Sequence, residues 1–267
     1  LWRKKITVLL SSHEVEIRRN DRQRASAVKL PVRQAWNEEE RTWQPALAAL
    51  SAWFKEQGGL RIQANLVLSD RFARYAVLPW SPAVRTDLEL AMVSRLHMES
   101  VYGLPFNDQT IATDFASYGK PGVMCALPKD LIDEAENLFK QHRTTVSSIQ
   151  TLFIASHNRS CKHLPANVLH VSIEDTHVVL GTIKAGAWQD IRSVRLSSAP
   201  ADDESSLIAA IDREKVLQGL DRDTKVYLNW KFVSTETALP TRGDLIHLEH
   251  KPLQRRNTKE MLEQVSE

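Results

Sequence analysis

The chain has 267 residues, of which 42% are hydrophobic and 25% charged, with a formal net charge of +2. That balance excludes a disordered chain, and the length accommodates one large domain or two subdomains that share an interface. Two cysteines, Cys125 and Cys161, are too few for a disulfide scaffold, and without an apolar stretch near 18 residues none of these residues is expected to cross a membrane. A reducing, cytoplasmic setting is the expectation that follows.

Near the start, Ile6, Val8 and Leu10 alternate with other residues up to Ser11-Ser12-His13, after which Val15 and Ile17 resume the period of two. This pattern predicts a hairpin with one buried face and a polar turn. Residues 24–32 read as a third strand. Arg3, Lys4, Lys5, Arg18, Arg19, Arg22, Arg24, Lys29 and Arg33 make this region basic. Such a surface suits acidic lipids or an acidic partner, or keeps a solvated edge from pairing. Nucleic acid is not expected, because the arginines are not interleaved with aromatic residues.

Residues 36–40 are polar and acidic and lead towards a helix over 43–57, where Ala46, Leu47, Leu50, Trp53 and Phe54 recur at helical spacing before Gly58-Gly59. Strands follow at 60–68 and 73–78, separated by Ser69-Asp70-Arg71 read as a polar turn and ended by Pro79-Trp80-Ser81-Pro82. A helix over 87–102 offers Leu88, Ala91, Met92, Leu96, Met98 and Val101 for packing, and Gly103 closes it. Strands at 110–115 and 123–127, the latter holding Cys125 as a core residue, precede a helix over 129–142. A strand at 146–154 then leads into a polar segment, 156–165, that hands the chain on.

The opening pattern now returns. Leu169, Val171 and Ile173 precede Glu174-Asp175-Thr176-His177, Val178, Val179 and Leu180 follow, and Ala185-Gly186 leads into a third strand. An exposed acidic loop at 197–204, a helix over 205–218 and strands at 225–230 and 245–248 complete the pattern. Residues 255–267 read as a charged terminal helix or linker. The expected class is α/β with mixed sheets, divided as 1–165, 166–250 and a tail, 251–267.

A strand–turn–strand–turn–strand unit followed by a helix, occurring twice, resembles the duplicated ribonuclease-H-like core of the actin, sugar kinase and Hsp70 superfamily. The run from Val67-Leu68-Ser69-Asp70 to Leu78-Pro79-Trp80, with the helix after it, and the stretch from Val168 to Leu196 are most similar to the actin-like domains of two bacterial assembly-platform proteins. These are the L protein of type II secretion and the M protein of type IV pilus biogenesis. The resemblance implies a noncatalytic scaffold at the cytoplasmic face of the inner membrane, with no cofactor. The partners it implies are other platform proteins, among them a secretion or pilus ATPase; the basic opening region adds an acidic membrane surface as an expected partner, and a homodimer is left open. The alternative within the superfamily is a nucleotide-binding ATPase or kinase-like enzyme.

Actin-like ATPases wrap phosphate with glycine-containing turns between the first two strands of each half, because only glycine lets backbone amides approach so closely. The matching turns here, 11–14 and 174–177, contain no glycine. Asp175 and Thr176 resemble a remnant of the second turn, and Glu174 beside them adds charge that repels phosphate. Other chemical sets are thin. Ser11, Ser12 and His13 are adjacent rather than convergent, and His157, Cys161 and His163 lack an evident fourth metal ligand. Asp202, Asp203 and Glu204 suit the solvated start of a helix, where negative charge is favourable, better than they suit a cation site. Trp2, Trp80 and Trp188 are placed to pack between the halves or to meet a partner. The candidate interaction surface is Arg18, Arg19, Arg22, Trp80, Asp202, Asp203 and Glu204.

Overall fold

The computed structural model describes residues 4–19, 26–32, 42–57, 62–200, 202–231 and 242–248. Strands β1 (Lys4–Leu10), β2 (Glu14–Arg19) and β3 (Ser26–Pro31) form an antiparallel meander, followed by α1 (Gln44–Glu56) and β4 (Ile62–Leu68). An inserted unit comprises β5 (Arg74–Leu78), α2 (Asp87–Tyr102), β6 (Gln109–Asp114) and β7 (Gly122–Pro128). Then come α3 (Lys129–Gln141), β8 (Thr145–Thr151) and α4 (Leu152–Ser160). The second meander is β9 (Val168–Glu174), β10 (His177–Lys184) and β11 (Ala187–Arg195), followed by α5 (Glu204–Leu217), β12 (Val226–Lys231) and β13 (Leu245–His247).

The two large sheets share one plan. Their orders are β3-β2-β1-β4-β8 and β11-β10-β9-β12-β13, so in each the first strand pairs antiparallel with the second and parallel with the fourth. A three-stranded sheet, β5-β7-β6, is inserted between β4 and α3, and its β5 edge lies against β11. The duplicated opening expected from the sequence is therefore a duplicated sheet.

Local chemistry accounts for most elements. The alternating Ile6, Val8, Leu10, Val15 and Ile17 are all buried, under α1 and α3, whose Phe54 and Phe139 rings meet edge-on at 5.4 Å. All seven residues of β9 are buried, as a strand paired on both sides and covered on both faces requires. The turn between β10 and β11 holds Ala185 and Gly186 at φ 50° and 68°, the mirror-image geometry that suits hairpin twist. Core packing continues from the first sheet into the second through Phe153, Val179, Ile183 and Trp188. Gly181 sits where a Cβ would lie 2.5 Å from Phe153 Cζ and 2.6 Å from Trp188 Cζ3, so no larger residue fits without a shift of both rings.

Three expectations are corrected. The strand assigned to 146–154 ends at Thr151, and the polar hand-over at 156–165 contains the second half of α4 and a short 3-10 turn, Cys161–His163. α4 packs between the large sheets, and burial of Leu152, Phe153, Ser156 and Ser160 holds a helix that its polar composition does not announce. The helix at 87–102 is present, with a Thr86–Glu89 capping box and Gly103 in the left-handed region, but it buries only Ser94 and Met98. Leu88, Met92, Leu96 and Val101 are exposed. Finally, the turn Ser69-Asp70-Arg71 is a buried 3-10 turn and not a solvated one.

Candidate functional site

Leu10 pairs with Leu68 in register, so β1 and β4 end together and deliver Ser11 and Ser69 to one edge of the first sheet. β9 brings Ser172 and Glu174 to meet them. Asp70 is the hub. Its Oδ1 accepts from Tyr75 Oη at 2.6 Å and from the Phe153 amide at the start of α4 at 2.9 Å, while Oδ2 accepts from Ser172 Oγ at 2.7 Å. One carboxyl thus ties the inserted unit, α4 and the second sheet together. Burial pushes Asp70 up to about 6, and the three donors only partly offset it.

Glu174 is the second buried acid. Ser69 Oγ lies 2.7 and 2.6 Å from its two carboxyl oxygens and also accepts the Arg71 amide at 3.1 Å. A hydroxyl has one proton to give, so two contacts of this length suit a carboxyl that supplies the other proton itself. Burial agrees. It raises Glu174 to about 7, against the opposing pull of Ser69 and with the nearby Asp70 charge adding to the rise.

Arg71 lies across the second hairpin turn. Its Nη2 is 3.0 Å from Asp175 Oδ2, 3.5 Å from Thr176 Oγ1 and 3.4 Å from the Glu174 carbonyl oxygen, with the Arg71 side chain 6% exposed. Asp175 holds φ 55°, a conformation that aspartate tolerates better than most residues. The first turn is closed on itself. Ser11 Oγ accepts from the amides of His13 and Glu14 at 3.3 and 3.0 Å and donates to the Glu14 carbonyl at 2.8 Å, and the Ser11 amide bonds the same carbonyl at 3.1 Å. The amides of Ser11, His13 and Glu14 are therefore spent within the turn. His13 is held below its ordinary value by burial and by Arg71, with Asp175 acting the other way.

Chemically, this arrangement joins elements more readily than it attacks a substrate. Burial pushes the Cys125 thiol up to about 12, with Asp70 adding to the shift, so it is a poor nucleophile. His170 sits with Nε2 2.8 Å from Ser156 Oγ and is driven down to about 3 by burial. His157 lies against Trp188 and His170, at 4.7 and 5.6 Å between ring centroids, and burial lowers it to about 4. Cys161 is exposed and contacts the Asn158 carbonyl. Among the described residues, no three metal-capable side chains gather.

The residues singled out as an interaction surface lie on separate elements. On β2, Arg18 pairs with Glu16 and lines a small groove with Arg159 and Asn229, while Arg19 donates to Gln57 Oε1 at 2.6 Å. Arg22 and Trp2 lie outside the described residues. Trp80 is half-buried and meets Tyr118 edge-on at 4.8 Å, whereas Trp188 is buried in the core. Asp203 caps α5 through the Ser205 amide at 3.0 Å, and its hydrogen bond from Ser205 Oγ does most to hold it low, so the acidic run starts a helix there, flanked by exposed Asp202 and Glu204. Sequence reasoning missed Ser69, Asp70, Arg71, Tyr75 and Ser172. For Ser69, Asp70 and Arg71 the signal was a polar run placed directly at the end of an apolar strand, whereas Tyr75, within β5, and Ser172, within β9, gave none.

No protein-family model matches the sequence, and no curated protein matches it. Solved structures show an actin-like ATPase fold. A Bacteroides thetaiotaomicron protein with that fold and unknown function aligns with a TM-score of 0.57 at 8% identity, covering 88% of this chain and 84% of that one. The cytoplasmic domain of EpsL, an inner membrane component of the Vibrio cholerae type II secretion system, aligns at 0.56 and 10% identity over 92% and 90%. A PilM–PilN type IV pilus biogenesis complex aligns at 0.51 and 12% identity, covering 85% of this chain and 81% of the matched one.

Proposed function

We propose that this chain is a docking domain of a bacterial assembly platform, of the type II secretion or type IV pilus kind, which works at the cytoplasmic face of the inner membrane without turning over nucleotide. The observation that carries the reading is Arg71 lying across the turn at Glu174-Asp175-Thr176 while Ser11 closes the opposite turn. Where an actin-like ATPase would present amides to phosphate, this chain presents a salt bridge and a self-bonded loop. The likeness in fold to an inner-membrane secretion component and to a pilus protein in complex with its partner supports the same reading. The two halves, residues 1–165 and 166–250, then act as one frame that holds surface residues in place for other platform proteins, including a secretion or pilus ATPase, and for an acidic membrane surface.

Co-isolation from a bacterial inner-membrane fraction tests this. The tagged chain is expected to retain membrane-assembly proteins, and the paired reversal Arg18→Glu with Arg19→Glu is expected to weaken that retention about 10-fold by removing charge complementarity. Recovery of no membrane protein would overturn the docking role. Unchanged recovery by the reversed variant would remove β2 as its surface.

A further inference from the structure

The groove lined by Arg18 and Arg159 stands apart from the two turns. Arg18 pairs with Thr7, three residues before the turn end of β1, and Arg159 follows Phe153 by six residues on α4, so each lies about 9–10 Å along its element from the joint. Two cavities there, of about 40 and 170 Å³, share Ser156, Arg159 and Asn229 in their walls. Asn229 on β12 is 1% exposed, and its side-chain Nδ2 has no hydrogen-bond partner among the described residues. A buried amide is costly to leave without an acceptor. Of the charged residues lining the smaller cavity, Arg18 and Arg159 are cationic and Glu16, which pairs with Arg18, is anionic. Partial burial, and then the charge of Arg18, hold Arg159 below its ordinary pKa, so the two guanidiniums act on each other across the groove. Leu9 and Leu152 give the smaller cavity apolar walls, and Tyr227 and Leu248 do so for the larger.

We propose that this groove binds a small monocarboxylic acid, whose carboxylate accepts a hydrogen bond from Asn229 Nδ2 and faces Arg159 while its hydrocarbon chain lies along the apolar walls. One negative charge balances those lining the smaller cavity, whereas phosphate brings a second towards a wall that already holds Glu16. The larger cavity falls short of the roughly 300–1,000 Å³ of a drug-sized pocket, so the acid is short. Arg18 and Arg159 belong to the first half and Asn229 to the second. The bound acid therefore clasps the two halves at a second point, away from Ser69, Asp70 and Arg71, and stabilises the folded chain by mass action.

Titration of hexanoate into the whole chain, labelled with nitrogen-15 and held at constant pH and ionic strength, tests this. Saturable shifts that include the Asn229 side-chain amide are expected, with a Kd of about 1 mM or tighter and a rise in melting temperature. Hexanamide, the same shape without the charge, and inorganic phosphate should each bind at least ~10-fold more weakly. Arg159→Gln, at an exposed position, should weaken hexanoate at least ~10-fold and leave the melting temperature of the free chain unchanged. Asn229→Asp, which sets a carboxylate of its own before the guanidiniums, should abolish binding. An acetylated tetrapeptide with a free carboxyl terminus separates a free acid from the end of a partner protein, and should bind more weakly than hexanoate. The absence of saturable shifts up to about 20 mM hexanoate overturns the proposal, as does equal binding by hexanamide or by Arg159→Gln. Phosphate or the peptide binding as tightly as hexanoate overturns the ligand class.

Discussion

Replacing Asp70 with alanine is expected to cost about 3–5 kcal/mol of stability, the range seen when one member of a buried polar network is removed. The reason lies in what is left behind. Tyr75 Oη, the Phe153 amide and Ser172 Oγ all donate to this one carboxyl, and alanine offers them nothing. The site is fully enclosed, so each stranded donor carries a desolvation cost of about 1–3 kcal/mol. Asp70→Asn keeps one acceptor oxygen and should fall between the parent and Asp70→Ala. The urea midpoint measures this directly, provided the slope of the transition is unchanged. A midpoint for Asp70→Ala within experimental error of the parent would contradict the hub role.

The second large effect is in the pH dependence of stability. Glu174 is raised to about 7 in the folded chain, above the ordinary carboxyl value of 4.5. Between those two values the folded state holds a proton that the unfolded state has released, so stability falls as pH rises through the window and levels off above it. The loss is on the order of 3 kcal/mol. Glu174→Gln cannot ionise and still accepts from Ser69, so its stability relative to the parent should climb from pH 4.5 to 7. Asp70, raised to about 6, contributes in the same direction as Glu174. His170 and His157, lowered to about 3 and 4, act oppositely, since stability rises with pH as their unfolded forms lose protons. The two histidines remain in both proteins and cancel, so the difference between the two melting curves across pH reports Glu174 together with its coupling to Asp70. Curves that stay parallel from pH 4.5 to 8 would show that Glu174 is ionised in the fold.

The sequence made the two meanders legible because alternation is a local signal. Ile6, Val8 and Leu10 and their counterparts Leu169, Val171 and Ile173 identify their strands without reference to the rest of the chain. The glycine-free turns were legible for the same reason. The joint between them was not. Ser69 and Glu174 are 105 positions apart, and Asp70 and Ser172 are 102 apart, so nothing local distinguishes Ser69-Asp70-Arg71 from an ordinary polar turn. α4 escaped detection because its helical state is set by burial of Phe153 and Ser156 between two sheets rather than by a stripe of large apolar residues. For α2 the periodicity was correct but its direction was not, since amphipathicity does not say whether the apolar side meets its own sheet or another molecule.

We propose that an actin-like cleft serves here as a joint, with Arg71 bridging the acceptors of the Glu174-Asp175-Thr176 turn and Ser11 bonding the amides of the other turn. Calorimetric titration of ATP with magnesium into the whole chain tests it most directly. The account predicts no saturable heat up to about 1 mM nucleotide, an affinity limit equivalent to only about 4 kcal/mol. A saturable one-site isotherm below that concentration would contradict it.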